Sequence, residues 1–334
     1  MTTRRNFLRN SATAAAGMLW ADRLSLAAPR AQQPQLPSQS PPQSSQEQAP
    51  GPPSLIQTMH AAGATTPIKT TKLTDTVFLL QGVGGNVVVH IGPDGKLMID
   101  SSVATAAPHI REVLGKLDAH PLKLLINTHW HFDHTDGNAA MHDAGAFIIA
   151  QENTRIRLSA TQKVAVLNTD FPPSPTSGLP QETFADKEKL FFDNDEFHLV
   201  HLPNAHTDSD IYVHFVNTNV IHTGDVWFNG MYPIIDYSTG GTVNGMIRGV
   251  DEVIELADDK TKIVPGHGAP GDKAALSNYR EMLVTVANRI EKLKIAGQTL
   301  DQVIAQKPTS DLDATWAKGR MTPDMFVTVV YNTL

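Results

Sequence analysis

The run Asn127-Thr128-His129-Trp130-His131-Phe132-Asp133-His134 constrains this chain more than any other, because it sets four potential metal ligands within six residues, directly after the apolar strand Leu122 to Ile126. A strand ending in such a run presents it at a sheet edge, where layered α/β folds display their functional loops. Side-chain direction alternates along extended backbone, so His129 and His131 point the same way and can grip one ion together. Asp133 and His134, further round the turn, face a neighbouring site. Three more elements repeat the arrangement of apolar run, glycine- or proline-marked turn, then ligand: Pro203-Asn204-Ala205-His206, Gly224-Asp225 and Gly266-His267-Gly268.

Composition narrows what such a set can hold. The 334 residues include 14 His and no Cys, which excludes disulfides, a cysteine nucleophile, iron–sulfur clusters and thiolate ligands. Imidazole and carboxylate oxygen are the ligands Zn²⁺ takes when no thiolate is available, and open positions on such sites hold water. With 27 Lys+Arg against 34 Asp+Glu the net charge is -7, so a basic nucleic-acid footprint is missing. Gly82 to Val87 lacks the third glycine of a dinucleotide fingerprint and precedes a strand, so it reads as a hairpin turn. No Gly-x-Ser-x-Gly elbow occurs.

Around the ligands the pattern is layered. Val77 to Leu80, Val87 to Val89 and Leu97 to Ile99, separated by glycine-rich turns, predict an opening antiparallel set. Helices are expected over 106–118, after Gly137, and over 244–257 and 272–294, with strands at 122–126, 147–150, 189–192, 195–202, 211–216, 220–223 and 262–264. This order, strand-rich then helix-rich and again, suggests two similar αβ halves folded sheet against sheet.

His-x-His-x-Asp-His, followed by separate His, Gly-Asp and Gly-His-Gly elements, resembles the metallo-β-lactamase superfamily of dinuclear zinc hydrolases. The resemblance runs from about residue 70 to 297. It implies an α/β fold, the four-layer αββα sandwich, with two Zn²⁺ at one edge between the sheets. One zinc is implied at His129, His131 and His206, a second at Asp133, His134 and His267, with Asp225 bridging. The lactamase groups carry cysteine or serine where Asp225 stands; aspartate there is similar to the glyoxalase II type and other hydrolases. Glyoxalase II, however, carries a C-terminal helical domain for glutathione, whereas only about 35 residues follow the last core helix here. Leu300 to Leu334 read as two short helices covering the sandwich.

The ends of the chain carry different expectations. Arg4-Arg5 ahead of the short apolar run Ala12 to Ala21 reads as a twin-arginine export signal over residues 1–31, too short to span a bilayer, which makes the export machinery a partner and the location periplasmic or secreted. Losing those residues removes five arginines and one aspartate, taking the charge from -7 to -11. Residues 32–54 contain seven Pro, seven Gln and five Ser, and a disordered linker is expected from 32 to 69. A catalytic domain over 70–297 and a helical extension over 298–334 complete the organisation.

The implied site is expected to carry about +1 after two Zn²⁺, two aspartates and a bridging hydroxide, favouring a small-molecule substrate that is anionic or becomes so during attack. The reaction implied is hydroxide opening of a lactam, lactone, ester or thioester, with Asp133 orienting the hydroxide or passing its proton to the leaving group. Trp130, the loop Phe171 to Leu179 and the loop Trp227 to Tyr232 are the expected pocket walls. Asp210 and Asp136 are candidate acceptors for the outer ring nitrogens of the ligand histidines. Two other readings stand: a single-iron dioxygenase resembling persulfide dioxygenases, using His129, His206 and Asp225, and a non-catalytic metal-binding protein.

Overall fold

The computed structural model describes residues 53–334, so the twin-arginine segment and residues 32–52 of the linker lie outside the described residues. Two sheets form the interior. The larger has seven strands in the order β1-β2-β3-β4-β5-β6-β9: β1 (Lys69–Lys72), β2 (Val77–Gln81), β3 (Val87–Gly92), β4 (Gly95–Ile99), β5 (Leu122–Asn127), β6 (Phe147–Gln151) and β9 (Glu182–Phe184). A small hairpin, β7 (Gln162–Val164) with β8 (Thr169–Phe171), stands apart from it. The second sheet runs β10 (Lys187–Phe192), β11 (Asp195–His201), β12 (Ile211–Phe215), β13 (Val220–His222) and β14 (Lys262–Val264).

Period-two alternation decides which face each residue covers. Val88, Leu97 and Ile99 point between the sheets, where they meet Phe197, Val213 and Phe215 of the second sheet. Val87, Val89 and Met98 point outward and pack on Ile110 and Leu114 of α2 (Ala107–Leu117). The outer face of the second sheet, Tyr212, Ile221 and Ile263, is covered by α6 (Val243–Leu256), α7 (Lys273–Ile295) and α10 (Pro323–Thr333). The result is an αββα sandwich of four layers.

Two expectations change. The linker expected to reach residue 69 instead ends in a helix, α1 (Leu55–Gly63), where Ser54 Oγ accepts from Gln57 N–H at 3.2 Å and the Gln57 side chain accepts from Ser54 N–H at 2.8 Å. This capping box begins within the polar composition, but Leu55, Ile56 and Met59 supply an apolar stripe at helical spacing. Past residue 297 there are three short helices, not two: α8 (Leu300–Ala305), α9 (Asp313–Trp316) and α10. Among the described residues no helix is long and apolar enough to cross a membrane.

Candidate metal centre

Every ligand candidate sits just past the end of a strand. His129 follows β5. Beyond it the chain folds into the short helix α3 (Phe132–Thr135), with His131 as its N-cap at φ -57° and ψ 145°, and that turn swings Asp133 and His134 away from the direction of His129 and His131. His206 lies after β11, Asp225 after β13 and His267 after β14. The four residues of the first run thus come from the seven-stranded sheet and the other three from the five-stranded sheet.

The structure brings all seven together in two groups. His129, His131, His206 and Asp225 offer ligand atoms within 4.8 Å of one another, as do Asp133, His134 and His267. His206 Nε2 lies 2.7 Å from His131 Nδ1, and His134 Nε2 lies 3.4 Å from His267 Nε2. Asp225 stands between the groups: its Oδ1 is 3.1 Å from His134 Nε2 and 3.4 Å from His267 Nε2, and its Oδ2 is 3.4 Å from His206 Nε2 and 3.8 Å from His129 Nε2.

The outer ring nitrogens show which way the lone pairs face. His134 Nδ1 donates to Asp100 Oδ2 at 2.7 Å, His131 Nε2 to Asp236 Oδ2 at 3.2 Å and His206 Nδ1 to the Ile234 carbonyl at 2.7 Å. Thr128 Oγ1 gives its proton to Asp100 Oδ2 at 2.7 Å and so accepts from His129 Nδ1 at 3.0 Å. Each ring is thereby held with its other nitrogen directed inward, the geometry in which it ligates a metal once that nitrogen carries no proton. His129 Nε2 and Asp225 Oδ1 are buried without a hydrogen-bond partner, an arrangement that costs free energy unless a cation takes up the lone pairs. The residues present therefore fit divalent metal held by nitrogen and oxygen alone.

The acceptors differ from those expected. Asp210 accepts from Thr207 N at 2.6 Å and Thr207 Oγ1 at 3.0 Å, and burial pushes its carboxyl up to about 7. Asp136 accepts from the Ala104 amide at 2.6 Å and pairs with His60 at 2.7 Å, so it anchors α1 and no ligand histidine. Asp100 and Asp236 hold the rings instead. Asp100 is fully buried at φ 61°, just past β4, and also accepts from Thr128 N at 2.8 Å. Its signal in the sequence was the same strand-end position that marks Asp225. For Asp236, only the Asp-Tyr-Ser-Thr turn that satisfies its carboxylate through Ser238 and Thr239 offered a hint. Asp100→Asn should weaken metal retention about 10- to 100-fold, because the amide can face His134 with the wrong donor; chelator competition on the purified variant measures it.

Taken as side chains alone, the two groups balance charge. Burial pushes Asp225 up, but His267, His134 and His206 outweigh it and hold the carboxyl well below the ordinary range. The same contest leaves Asp133 low, through His134 and His267. Burial works downward on His267, yet Asp225 and Asp133 lift it to about 10. His206 is instead held at about 4 by burial and by its neighbour His131. Anionic carboxylates and neutral imidazoles at His129 and His206 are the forms that ligation requires.

A cavity of about 320 Å³ opens on His131, Asp133, Asp225 and His267. Of the expected walls, Phe171, Phe228, Met231 and Tyr232 line it. Trp130 does not: it is 2% exposed and packs with Leu158, Val164 and Phe171, its Nε1 3.4 Å from Thr239 Oγ1. Trp227 is likewise buried in the outer core, and residues 172–175 line a neighbouring cleft. Large aromatic side chains beside a loop ligand went to packing because the sandwich edge needs that volume filled.

Residues 80–275, more than half of the chain, match the family profile described as the metallo-beta-lactamase superfamily. A hydroxyacylglutathione hydrolase from Pelagibacter ubique is 26% identical over 148 residues, 44% of this chain and 52% of that protein, so the chain spans about half the length of that curated relative. Among solved structures, a metallo-beta-lactamase from Pontibacter korlensis aligns with a TM-score of 0.53 at 18% identity, covering 65% of this chain and 99% of the other. The sec-alkylsulfatase Pisa1 from Pseudomonas sp. aligns with a TM-score of 0.60 at 16% identity, covering 83% and 52%. These two structural likenesses carry the fold alone.

Proposed function

The chain belongs to the metallo-β-lactamase superfamily, and on that premise we propose that it is an exported hydrolase holding two Zn²⁺ that opens a carbonyl bond in a small lactone, ester, thioester or lactam. The observation that carries this reading is Asp225, whose two oxygens face the two ligand groups separately while the inward nitrogens of both converge on it. His129, His131 and His206 would hold one ion, Asp133, His134 and His267 the other, and Asp225 both. Bound there, the pair supplies Lewis acidity that ionises water near neutral pH and polarises a carbonyl.

The chain's own residues do the rest. Asp133 faces the cavity with its Oδ2 3.3 Å from His267 Nε2, and its carboxyl stays anionic, so it can orient a water by accepting its hydrogen bond. Asp100 and Asp236 keep three imidazoles aimed, directly or through Thr128. The apolar walls exclude bulk water from the reacting atoms. No side-chain nucleophile is needed, and among the described residues no Ser, Thr or Lys lines the cavity.

His129, His206 and Asp225 would equally suit a single iron, and oxygen chemistry is the second reading. The convergence of Asp133, His134 and His267 favours two ions, and the cavity beside them favours catalysis over simple metal storage. Elemental analysis of the purified protein, with rates on a chromogenic β-lactam, an aryl ester, a lactone, a thioester, a sulfate ester and a phosphodiester, tests the proposal. Two zinc per chain, no oxygen uptake and turnover confined to carbonyl substrates are expected. One iron with oxygen consumption, or a preference for the phosphodiester or sulfate ester, would replace it. Dialysis against a strong chelator should remove at least 90% of turnover, roughly the loss of one factor of ten or more in rate expected when the Lewis acid goes, and added Zn²⁺ should restore it. Export is tested separately, by locating the full-length chain after Arg4 and Arg5 are both changed to Lys; it should then stay inside the cell.

A further inference from the structure

The cavity at the metal centre has an unusual division of labour. Its polar side chains are those of His131, Asp133, Asp225 and His267, with Arg320 and the Tyr232 hydroxyl as the others. That hydroxyl is already committed, donating to Asp313 Oδ1 at 2.8 Å. Among the described residues, no Ser, Thr, Asn or Gln side chain lines the space. A substrate bound here finds apolar surface along its body, as at Val83, Phe132, Phe171, Phe228 and Ile234, and little to satisfy amide groups. At about 320 Å³ the space sits at the small end of ligand pockets, which run from roughly 300 to 1,000 Å³. A peptide-like thiol carrier, with several amides to satisfy, matches such walls poorly.

Arg320 is the exception to the apolar lining. Arg157, Arg280 and Arg289 are paired with Asp208, Asp251 and Asp311, whereas Arg111, Arg155, Arg248 and exposed Arg320 make no ion pair among the described residues, and of these Arg320 is the one that lines the cavity. Its loop is fixed. Tyr232 N donates to the Trp316 carbonyl at 2.8 Å, Tyr232 stacks on Phe326 with ring centroids 4.5 Å apart, and a Cβ on Gly319 would come within 3.1 Å of Met231 Sδ. Arg320 and Met321, together with Leu55 and Met59 from α1, lie outside residues 80–275, so the part of the wall that carries this cation comes from outside the stretch that matches the family profile.

We propose that the cavity selects small carbonyl substrates with an apolar body and one anionic group, such as a carboxylate-bearing acyl ester or lactone, and that Arg320 is the residue that reads the anion. This rests on the hydrolase reading above. The test uses the zinc-loaded full chain and two esters of equal acyl length, 4-nitrophenyl hexanoate and the mono-4-nitrophenyl ester of adipic acid, with an acylated glutathione thioester as the polar comparison. Binding of free 4-phenylbutyrate and of 4-phenylbutanol is measured alongside by calorimetry.

The carboxylate-bearing ester should be preferred in kcat/KM by roughly fivefold or more, the size of one partly solvated ion pair, with the difference in KM. Arg320→Gln should bring that ratio towards one and remove the preference for phenylbutyrate over the alcohol, while Arg320→Lys retains most of both; metal content and Tm of each variant confirm an intact fold. No preference in the wild type, a preference that survives Arg320→Gln, or fastest turnover of the glutathione thioester would overturn the inference while leaving the hydrolase reading in place. Arg320-dependent phenylbutyrate binding without turnover of any ester would do the reverse.

Discussion

Asp225→Asn should cost at least about 1,000-fold in kcat, some 4 kcal/mol of barrier, because the single side chain that addresses both ligand groups loses its charge. The carboxyl is held well below its ordinary range by His267, His134 and His206, so it enters the site as an anion, and the amide replaces one of its oxygens with a donor. That NH₂ must then point at His134 and His267 or at His206 and His129, whichever way the amide is turned. One group loses a carboxylate oxygen and presents an N–H donor where a cation would sit. Metal analysis should accordingly show about one equivalent or less per chain, and full activity with a single ion bound would refute the bridging role.

Gly266→Ala should be nearly as severe by a purely steric route. A Cβ there would lie 1.9 Å from Asp225 Oδ1, 2.7 Å from the Gly224 carbonyl carbon and 2.8 Å from Asp225 N. Two of those three atoms are backbone, so no side-chain rotation relieves the overlap, and the Gly266 amide is itself held at 2.7 Å by the Gly224 carbonyl. The strand-end turn must open, at a cost of about 1–3 kcal/mol for overpacking, and it carries both Asp225 and the neighbouring His267 with it. Expected are a Tm lowered by several degrees and incomplete metal loading. Gly115→Ala is the counterpart: it lies within α2 with nothing within 4 Å of the added methyl, and helix propensity should raise stability by up to about 1 kcal/mol. Equal losses in both variants would remove the steric account.

How much of this was visible in the chain depends on how local the cause is. Each ligand candidate could be found because it closes a strand-and-turn unit a few residues long, and hydrophobic periodicity had already placed the strands. The acceptors were less accessible. Asp100 meets His134 and Thr128 only because β4 and β5 are parallel neighbours, and Asp236 reaches His131 across 105 residues of chain. Asp100 shares the strand-end position of Asp225, but nothing in the spacing distinguishes Asp236 from Asp210 or Asp136. The hairpin β7–β8 and the edge strand β9 are three-residue elements that each carry a single apolar residue, without the adjacent apolar pair, Val220-Ile221 or Ile263-Val264, that marks the equally short β13 and β14. Helix α1 was hidden by its polar flank, although its capping box and apolar stripe are both local features.

The two sheets each supply part of both ligand groups: His129 and His131 join His206 in one, and Asp133 and His134 join His267 in the other. An ion seated in either group is a rivet through both plates of the sandwich. Ligands so distant along the chain cannot assemble once it unfolds, so the free energy of loading adds directly to the resistance against unfolding. The same coupling predicts that stripping the ions lowers the resistance to unfolding together with the activity, so Tm and turnover should fall and recover in step as metal is removed and returned.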